Sequence, residues 1–337
     1  MPAIIPERYG RGIVRALVVS NMLPDAEHPE RGSFVRDQVT ALRTLEGLDV
    51  ELYQFAPGGR ALARAAVDLR RRFGGRSPGD RRSAGARFDV VHAHFGLTAW
   101  PALAVPARVR ALTVHGTDVR HVRTRLATQA VLPAIDLLAA VSAPLALELP
   151  GRAARRAHVL PCGVDLERFR PLPRVQARAE LGLDPDRPYL LFAADPSRPE
   201  KRHDRALELA RTVEVELLTL GGVDPGRVPL LINAANAVLV PSEREGFGLA
   251  VLEALACDVP VLATPVGIHP VALAGVEGTL CAPFELGRWR AALEPHLDAR
   301  DDGDGRVAGR VSAERFSATE MAERVAGAWR AALERSG

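Results

Sequence analysis

Residues 237–263 constrain this chain more than any other stretch. Ala237-Val238-Leu239-Val240 is a short apolar run closed by Pro241, and Pro260-Val261-Leu262-Ala263 is a second. Apolar, β-rich runs of this length bounded by proline predict buried strands. Between them Leu249, Leu252, Leu255 and Ala256 fall at helical spacing. The unit is therefore strand, glycine-bearing turn, helix, strand, a building block of an α/β fold. Gly246 and Gly248 let the backbone come close to a ligand where a Cβ would obstruct it. The N–H groups of Phe247, Gly248 and Leu249 then point out of a positive helix end, which suits phosphate.

Two glutamates bracket that helix end. Glu245 lies in the turn and Glu253 inside the helix, at most about 12 Å apart at 1.5 Å per residue. That is roughly the reach from a sugar ring across a diphosphate to a ribose, and a carboxylate accepts two hydroxyl hydrogen bonds. Taken alone, Glu245 reads as a dipole partner in the first turn and Glu253 as a solvated helix residue. The whole string favours a site, because it also fixes the glycines and both strands.

The string Glu245-Gly246-Phe247-Gly248-Leu249…Glu253-Ala254…Pro260-Val261…Thr264…Gly267 resembles the E-x7-E signature of glycosyltransferase family 4. Members are retaining nucleotide-sugar transferases of GT-B fold, two Rossmann-like α/β domains facing across a cleft. The resemblance implies that Glu245 contacts the donor sugar and that the backbone of Gly246, Phe247, Gly248 and Leu249 holds the sugar and the diphosphate. It implies that Glu253 binds the ribose hydroxyls. Asp258, Ile268 and Val271 depart from the pattern, standing where the family usually has glycine, glycine and glutamate.

A chain of 337 residues has room for two domains, each with its own core. The net charge of +3 is too small to point to nucleic acid. The start of the chain lacks the pattern of a signal peptide, and the longest apolar stretches, such as 137–141 and 189–194, fall far below membrane-spanning length. Cys162, Cys257 and Cys281 include no C-x-x-C pair, so a reduced, cytoplasmic setting with free thiols is expected. Lysine and arginine number 44, and Lys201 alone is lysine.

In chain order, Ile13–Val19, Asp49–Phe55, Phe88–Ala93, Ala111–Val114 and Asp136–Val141 predict strands of a first sheet. Ser33 is expected to cap a helix with Phe34, Val35, Val39 and Leu42 on its inner face. By resemblance Gly32 and Ser33 approach the diphosphate, beside the plainer reading of an ordinary capped helix. Arg60–Arg72 predicts a basic helix, followed by a loop through Arg87. The arginines of 70–82 suggest either a solvated loop or a surface that meets anionic lipid headgroups. His92 and His94 end one strand and His115 another, where ligands of parallel sheets bind. His92 and His94 are expected on opposite faces, with no third ligand for a metal. His115-Gly116-Thr117-Asp118 resembles the family motif whose histidine meets the donor sugar, with Asp118 capping the next helix or orienting His115.

His158-Val159-Leu160-Pro161-Cys162-Gly163-Val164-Asp165…Phe169-Arg170-Pro171 resembles the family's crossing between domains, with cysteine in place of asparagine. This sets boundaries at 1–165 for an acceptor-side domain, 166–317 for a donor domain and 318–337 for a final helix that returns to the first domain. Tyr189–Ala193 and Glu214–Leu220 predict further strands, and Val228–Ala235 a short helix. Between the strands, Asp195-Pro196-Ser197-Arg198-Pro199-Glu200-Lys201-Arg202 resembles a branch that includes teichuronic-acid-type transferases. There Lys201 matches the diphosphate lysine. The usual arginine slot is not matched, and of the nearest candidates, Arg198 and Arg202, Arg198 is taken as the second cation. No segment that would stack on a nucleobase is evident. Asp301-Asp302-Gly303-Asp304 reads as a linker rather than a calcium loop.

These readings together predict a retaining transferase with His115, Glu245 and Lys201 at the reaction centre and no metal or other cofactor. A UDP- or GDP-sugar is the expected donor. The acceptor is expected to be a hydroxyl of a glycan or lipid-linked precursor of the cell envelope, reached from the cytoplasm, with peripheral contact to an anionic membrane. A non-catalytic subunit of the same fold, or a nucleotide-sugar epimerase, are the alternatives.

Overall fold

The computed structural model describes residues 12–25, 31–74, 87–297 and 305–336. Two parallel sheets organise it. The first contains β1 (Val14–Ser20), β2 (Leu48–Gln54), β3 (Phe88–His94), β4 (Ala107–Val114), β5 (Leu137–Ala140) and β6 (His158–Val159), in the order β2-β1-β3-β4-β5-β6. The second contains β7 (Tyr189–Phe192), β8 (Glu216–Thr219), β9 (Ala237–Val240), β10 (Val261–Ala263) and β11 (Leu280–Cys281), in the order β11-β10-β9-β7-β8. Every pairing is parallel. Helices cover both faces, so central strands bury both faces and read as unbroken apolar runs. Ala16–Val19 and Ala237–Leu239 are fully buried. Each sheet reverses its strand order beside its first strand, at β1/β3 and at β7/β9, and clefts open beyond the carboxyl ends at such points.

Most expected strands appear within two residues of their expected ends. Strand β4 starts earlier than expected, at Ala107, because Arg108 and Arg110 interrupt its apolar run without breaking its pairing to β3. The helix Ser33–Arg43 is capped by Gly32, in the left-handed region at φ 68, and Ser33 is its first turn rather than its cap. A strand repeats every two residues, so His92 and His94 share a face rather than opposing one another. Their rings stack at 4.8 Å.

The crossing and the return of the chain lie side by side. Val164 N donates to Phe316 O and Ala318 N to Val164 O, each at 2.8 Å. The helix Ala318–Arg335, capped by Ser317, then buries Met321, Val325, Ala326, Trp329 and Leu333 against Val18, Val90, Ala111, Leu137 and Ala139 of the first sheet. The basic helix spans Gly59–Phe73, with Ala65, Leu69 and Phe73 inward and Arg60, Arg64, Arg70, Arg71 and Arg72 exposed. The rest of the arginine-rich stretch, 75–86, and Asp301–Asp304 lie outside the described residues.

Candidate functional site

The turn after β9 holds Glu245 in a nearly saturated network. Lys201 Nζ donates to both carboxylate oxygens, at 2.7 and 2.8 Å, and Ser242 Oγ donates to Oε1 at 2.8 Å. Burial pushes this carboxyl up, but the Lys201 ammonium and these hydrogen bonds outweigh it and leave the group below its ordinary 4.5. Lys201 reaches it from the short turn Pro199–Lys201 after β7, and Glu243 N donates to Glu200 O at 2.9 Å, tying the two loops together. The helix Leu249–Ala256 follows, and its first amides have no partner within the helix. Gly248 precedes it at φ 103, and a Cβ there would sit 2.3 Å from His269 Nε2. Glycine is required on both counts.

Glu253 lies on the same helix in different surroundings. Its carboxyl makes no hydrogen bond to the described residues and lines a second cavity with Arg168, Ser33, Arg198 and Lys201. Burial raises it to about 7, with Arg168 pulling it down and Asp37 pushing it up. Arg168 is itself held by Asp37, at 2.9 Å.

The opposite wall comes from the first sheet. His115 leaves the end of β4, stacked on Phe95 at 4.6 Å and tilted against Phe34 at 4.9 Å. Asp118 accepts from the amides of Gly96, His115 and Gly116 at 3.2, 3.0 and 2.8 Å. It orients the backbone of His115 and of the neighbouring loop; it is not the helix cap. Behind His115, His94 Nδ1 lies 2.9 Å from His115 Nε2. Trp329 of the returning helix donates to His92 Nδ1 at 3.2 Å.

The walls touch directly beside Glu245. Ser142 Oγ donates to Gly246 O at 2.7 Å, and Arg120 Nη1 to Glu245 O at 3.1 Å while its other nitrogens grip Glu148. A Cβ on Gly246 would lie 1.9 Å from His115 O. Gly246 thus serves the approach of one domain to the other, a role that a ligand-contact reading of the sequence overlooks.

Two cavities result, of about 550 Å³ and about 360 Å³. The larger is lined by His115, Glu245, Gly246, Phe247, Gly248 and Leu249, the smaller by Glu253 and Ser33, and both by Arg198 and Lys201. Gly32 lines neither; it packs on the Met22 carbonyl. Arg198 is bound to Glu200, whereas Arg202 is turned away onto Asp204 and Glu243. Among the described residues no group of three or more His, Cys, Asp or Glu is arranged to hold a metal ion. Arg168, Asp37, Ser142, Arg120 and His94 were not singled out as site residues from the sequence. Two of them carried a signal: His94 at the end of its strand, and Arg168 in the crossing string directly before Phe169.

A model of the glycosyl transferases group 1 matches residues 186–298, and one of glycosyltransferase family 4 matches residues 32–168. The chain is 32% identical to a D-inositol 3-phosphate glycosyltransferase of Segniliparus rotundus, over 73% of this chain and 67% of the relative. It is 31% identical to D-inositol 3-phosphate glycosyltransferase 1 of Catenulispora acidiphila, over 77% of this chain and 74% of the relative. In fold it is similar to Anabaena Alr3699/HepE in complex with UDP and glucose, with a TM-score of 0.66 at 16% identity over 94% of this chain and 99% of the other.

Proposed function

Since this chain belongs to glycosyltransferase family 4 and has the two-domain GT-B fold, we propose that it moves a sugar from a nucleotide diphosphate to a hydroxyl acceptor with retention at the anomeric carbon. The observation that carries this reading is the pair of cavities joined at Lys201 and Arg198 beside a helix start. The nucleotide fits the smaller cavity, with its ribose at Glu253 and its diphosphate at the junction. The sugar and the acceptor share the larger one. As the glycosidic bond breaks, negative charge grows on the departing diphosphate, where Lys201, Arg198 and the helix amides await it. Lys201 has to loosen its hold on Glu245 to meet the phosphates, which frees a carboxylate for the sugar hydroxyls. The departing diphosphate then takes the acceptor proton, so no pair of carboxylates about 5 Å apart is called for.

The acceptor side of the larger cavity is mostly apolar, with Met22, Phe34, Phe95 and Leu97, and adds Arg31. The names of the relatives support a phosphorylated polyol there. An envelope glycan or glycolipid precursor, as in the teichuronic-acid-type branch, rests on the resemblance of residues 194–202. The complex of the structural neighbour makes a UDP-sugar the first donor to test. No described helix is long and apolar enough to cross a membrane. The exposed arginines of Gly59–Phe73 support a peripheral contact with anionic lipid from the cytoplasmic side.

Calorimetry with UDP-, GDP- and ADP-sugars, followed by transfer assays on inositol phosphate and sugar acceptors, tests the proposal. One nucleotide class should bind and turn over. Binding with neither transfer nor slow hydrolysis would sink it in favour of a non-catalytic subunit.

A further inference from the structure

Under the amino-domain wall lie three histidines whose hydrogen bonds fix more than their positions. An indole N–H can only donate, so the bond from Trp329 Nε1 makes His92 Nδ1 an acceptor. The proton of His92 therefore sits on Nε2, 2.8 Å from Thr113 Oγ1. His92 is neutral by the same reasoning, because a second ring proton would face the indole N–H. His92 stacks on His94, whose Nδ1 lies 2.9 Å from His115 Nε2. One of those two nitrogens carries the shared proton. The other nitrogen of His94, Nε2, is buried and has no hydrogen-bond partner among the described residues. If His115 donated, His94 would keep its proton on Nε2 as a buried N–H without an acceptor, the rarer kind of orphan. If His94 donates from Nδ1, only a bare lone pair remains there. Burial holds both rings neutral, taking His94 down to about 3 and His115 well below its ordinary value.

We infer that His94 is a positioning residue that holds His115 as its Nδ1–H tautomer, so that the cleft meets a neutral hydrogen-bond donor. Nδ1 is the ring nitrogen of His115 that makes no hydrogen bond to the described residues, and Phe34 and Phe95 fix the plane of the ring. A neutral donor binds a sugar hydroxyl without setting a positive charge beside a ring that is itself gaining cationic character. What the N–H meets rests on the transfer reading; the tautomer rests on the fold alone.

Long-range ¹⁵N–¹H spectra of protein labelled at histidine separate the tautomers, with His115 identified by the signals missing from His115→Gln. The parent should show a protonated Nδ1 and a bare Nε2. His94→Leu should lose this preference. His94→Asn, whose amide places an N–H close to the position of Nδ1, should keep it. Alongside, kcat for hydrolysis of UDP-glucose should fall about tenfold in His94→Leu with KM within about twofold, and stay within about threefold of the parent in His94→Asn. His115 protonated on Nε2 in the parent, or a tautomer unchanged in His94→Leu, overturns the inference whatever the rates. A parent that shows the Nδ1–H form but neither binds nor hydrolyses any nucleotide sugar upholds the tautomer and sinks the transfer reading instead.

Discussion

Glu245 and Glu253 carry the same side chain, eight residues apart around one helix start, and the fold treats them in opposite ways. Glu245 is tied by an ammonium and a hydroxyl and is held ionised. Glu253 makes no hydrogen bond to the described residues and is raised to about 7. Both are largely buried, so burial alone does not separate them; the partner does. A carboxylate already paired is set in place before a ligand arrives, whereas an unpartnered one is kept open for the ligand's own hydroxyls. The helix end thus presents one group with its geometry and charge fixed and one that remains adjustable.

Removing the partner breaks this contrast. In Lys201→Ala, Glu245 loses its counter-charge and keeps only the hydroxyl of Ser242, and stability measured by urea unfolding at pH 7 should fall by about 3–5 kcal/mol. In the parent, the lowered carboxyl of Glu245 contributes stability that is present above its ordinary 4.5 and lost as the pH falls through the folded value. The variant should lack that acid-side loss. A fall below about 1 kcal/mol would mean that the pair is already screened as at a surface.

Gly246→Ala attacks the contact that backs Glu245 from across the cleft. The new methyl meets His115 O, so the two loops must part, at a cost of about 1–3 kcal/mol and most of the turnover. A crystal structure of the variant with the Ser142–Gly246 hydrogen bond intact would count against this account.

Glu253→Gln tests the other carboxyl. A folded value of about 7 against an ordinary 4.5 means that the folded protein holds the extra proton, so this group's contribution to stability declines as the pH rises from about 4.5 to about 7. The variant should lose that slope. UDP should bind it about tenfold more weakly at pH 8, with a smaller difference at pH 6, where the parent's carboxyl is protonated too. Equal weakening at both pH values would contradict the raised carboxyl.

The smallest expected effect is that of Lys201→Arg. The planar guanidinium can still pair with Glu245 but is a broader head than the ammonium beside the helix start. Turnover should drop by more than about threefold, about 0.65 kcal/mol, with UDP affinity less affected. A smaller drop would make the lone lysine an accident of composition.

The helix start and its two glutamates were legible in the chain, but the contrast between them was not, and the reason is physical. The strands at Ala237–Val240 and Val261–Ala263 and the helix between them follow from apolar runs and helical spacing, which are local signals. Lys201 stood out because every other basic residue is arginine. The sequence does not show that Lys201 meets Glu245, a pairing that spans 44 residues. Nor does it show that Ser142 and Arg120 reach the Glu245–Gly246 backbone across the cleft. His94 was visible as a residue but misjudged, because the two-residue period of a strand was applied the wrong way round. Its link to His115 depends on the register of β3 against β4, in which His94 lies opposite Thr113, two residues before His115.

The returning helix sets a schedule for the chain as it is made. The face formed by Val18, Val90, Ala111 and Leu137 is shared by Val35, Val39 and Leu42 of the helix Ser33–Arg43 and by Met321, Val325 and Trp329 of the returning helix, which follows only after the whole second sheet. At about 5–20 residues per second, roughly 10–35 seconds separate the emergence of β6 from that of this helix. During that interval the second sheet can close its own core while one face of the first is covered only in part, by Val35, Val39 and Leu42 of the helix Ser33–Arg43. Of the two sheets, the one translated earlier is therefore completed later, and it spends the wait with part of an apolar face that chaperones would recognise.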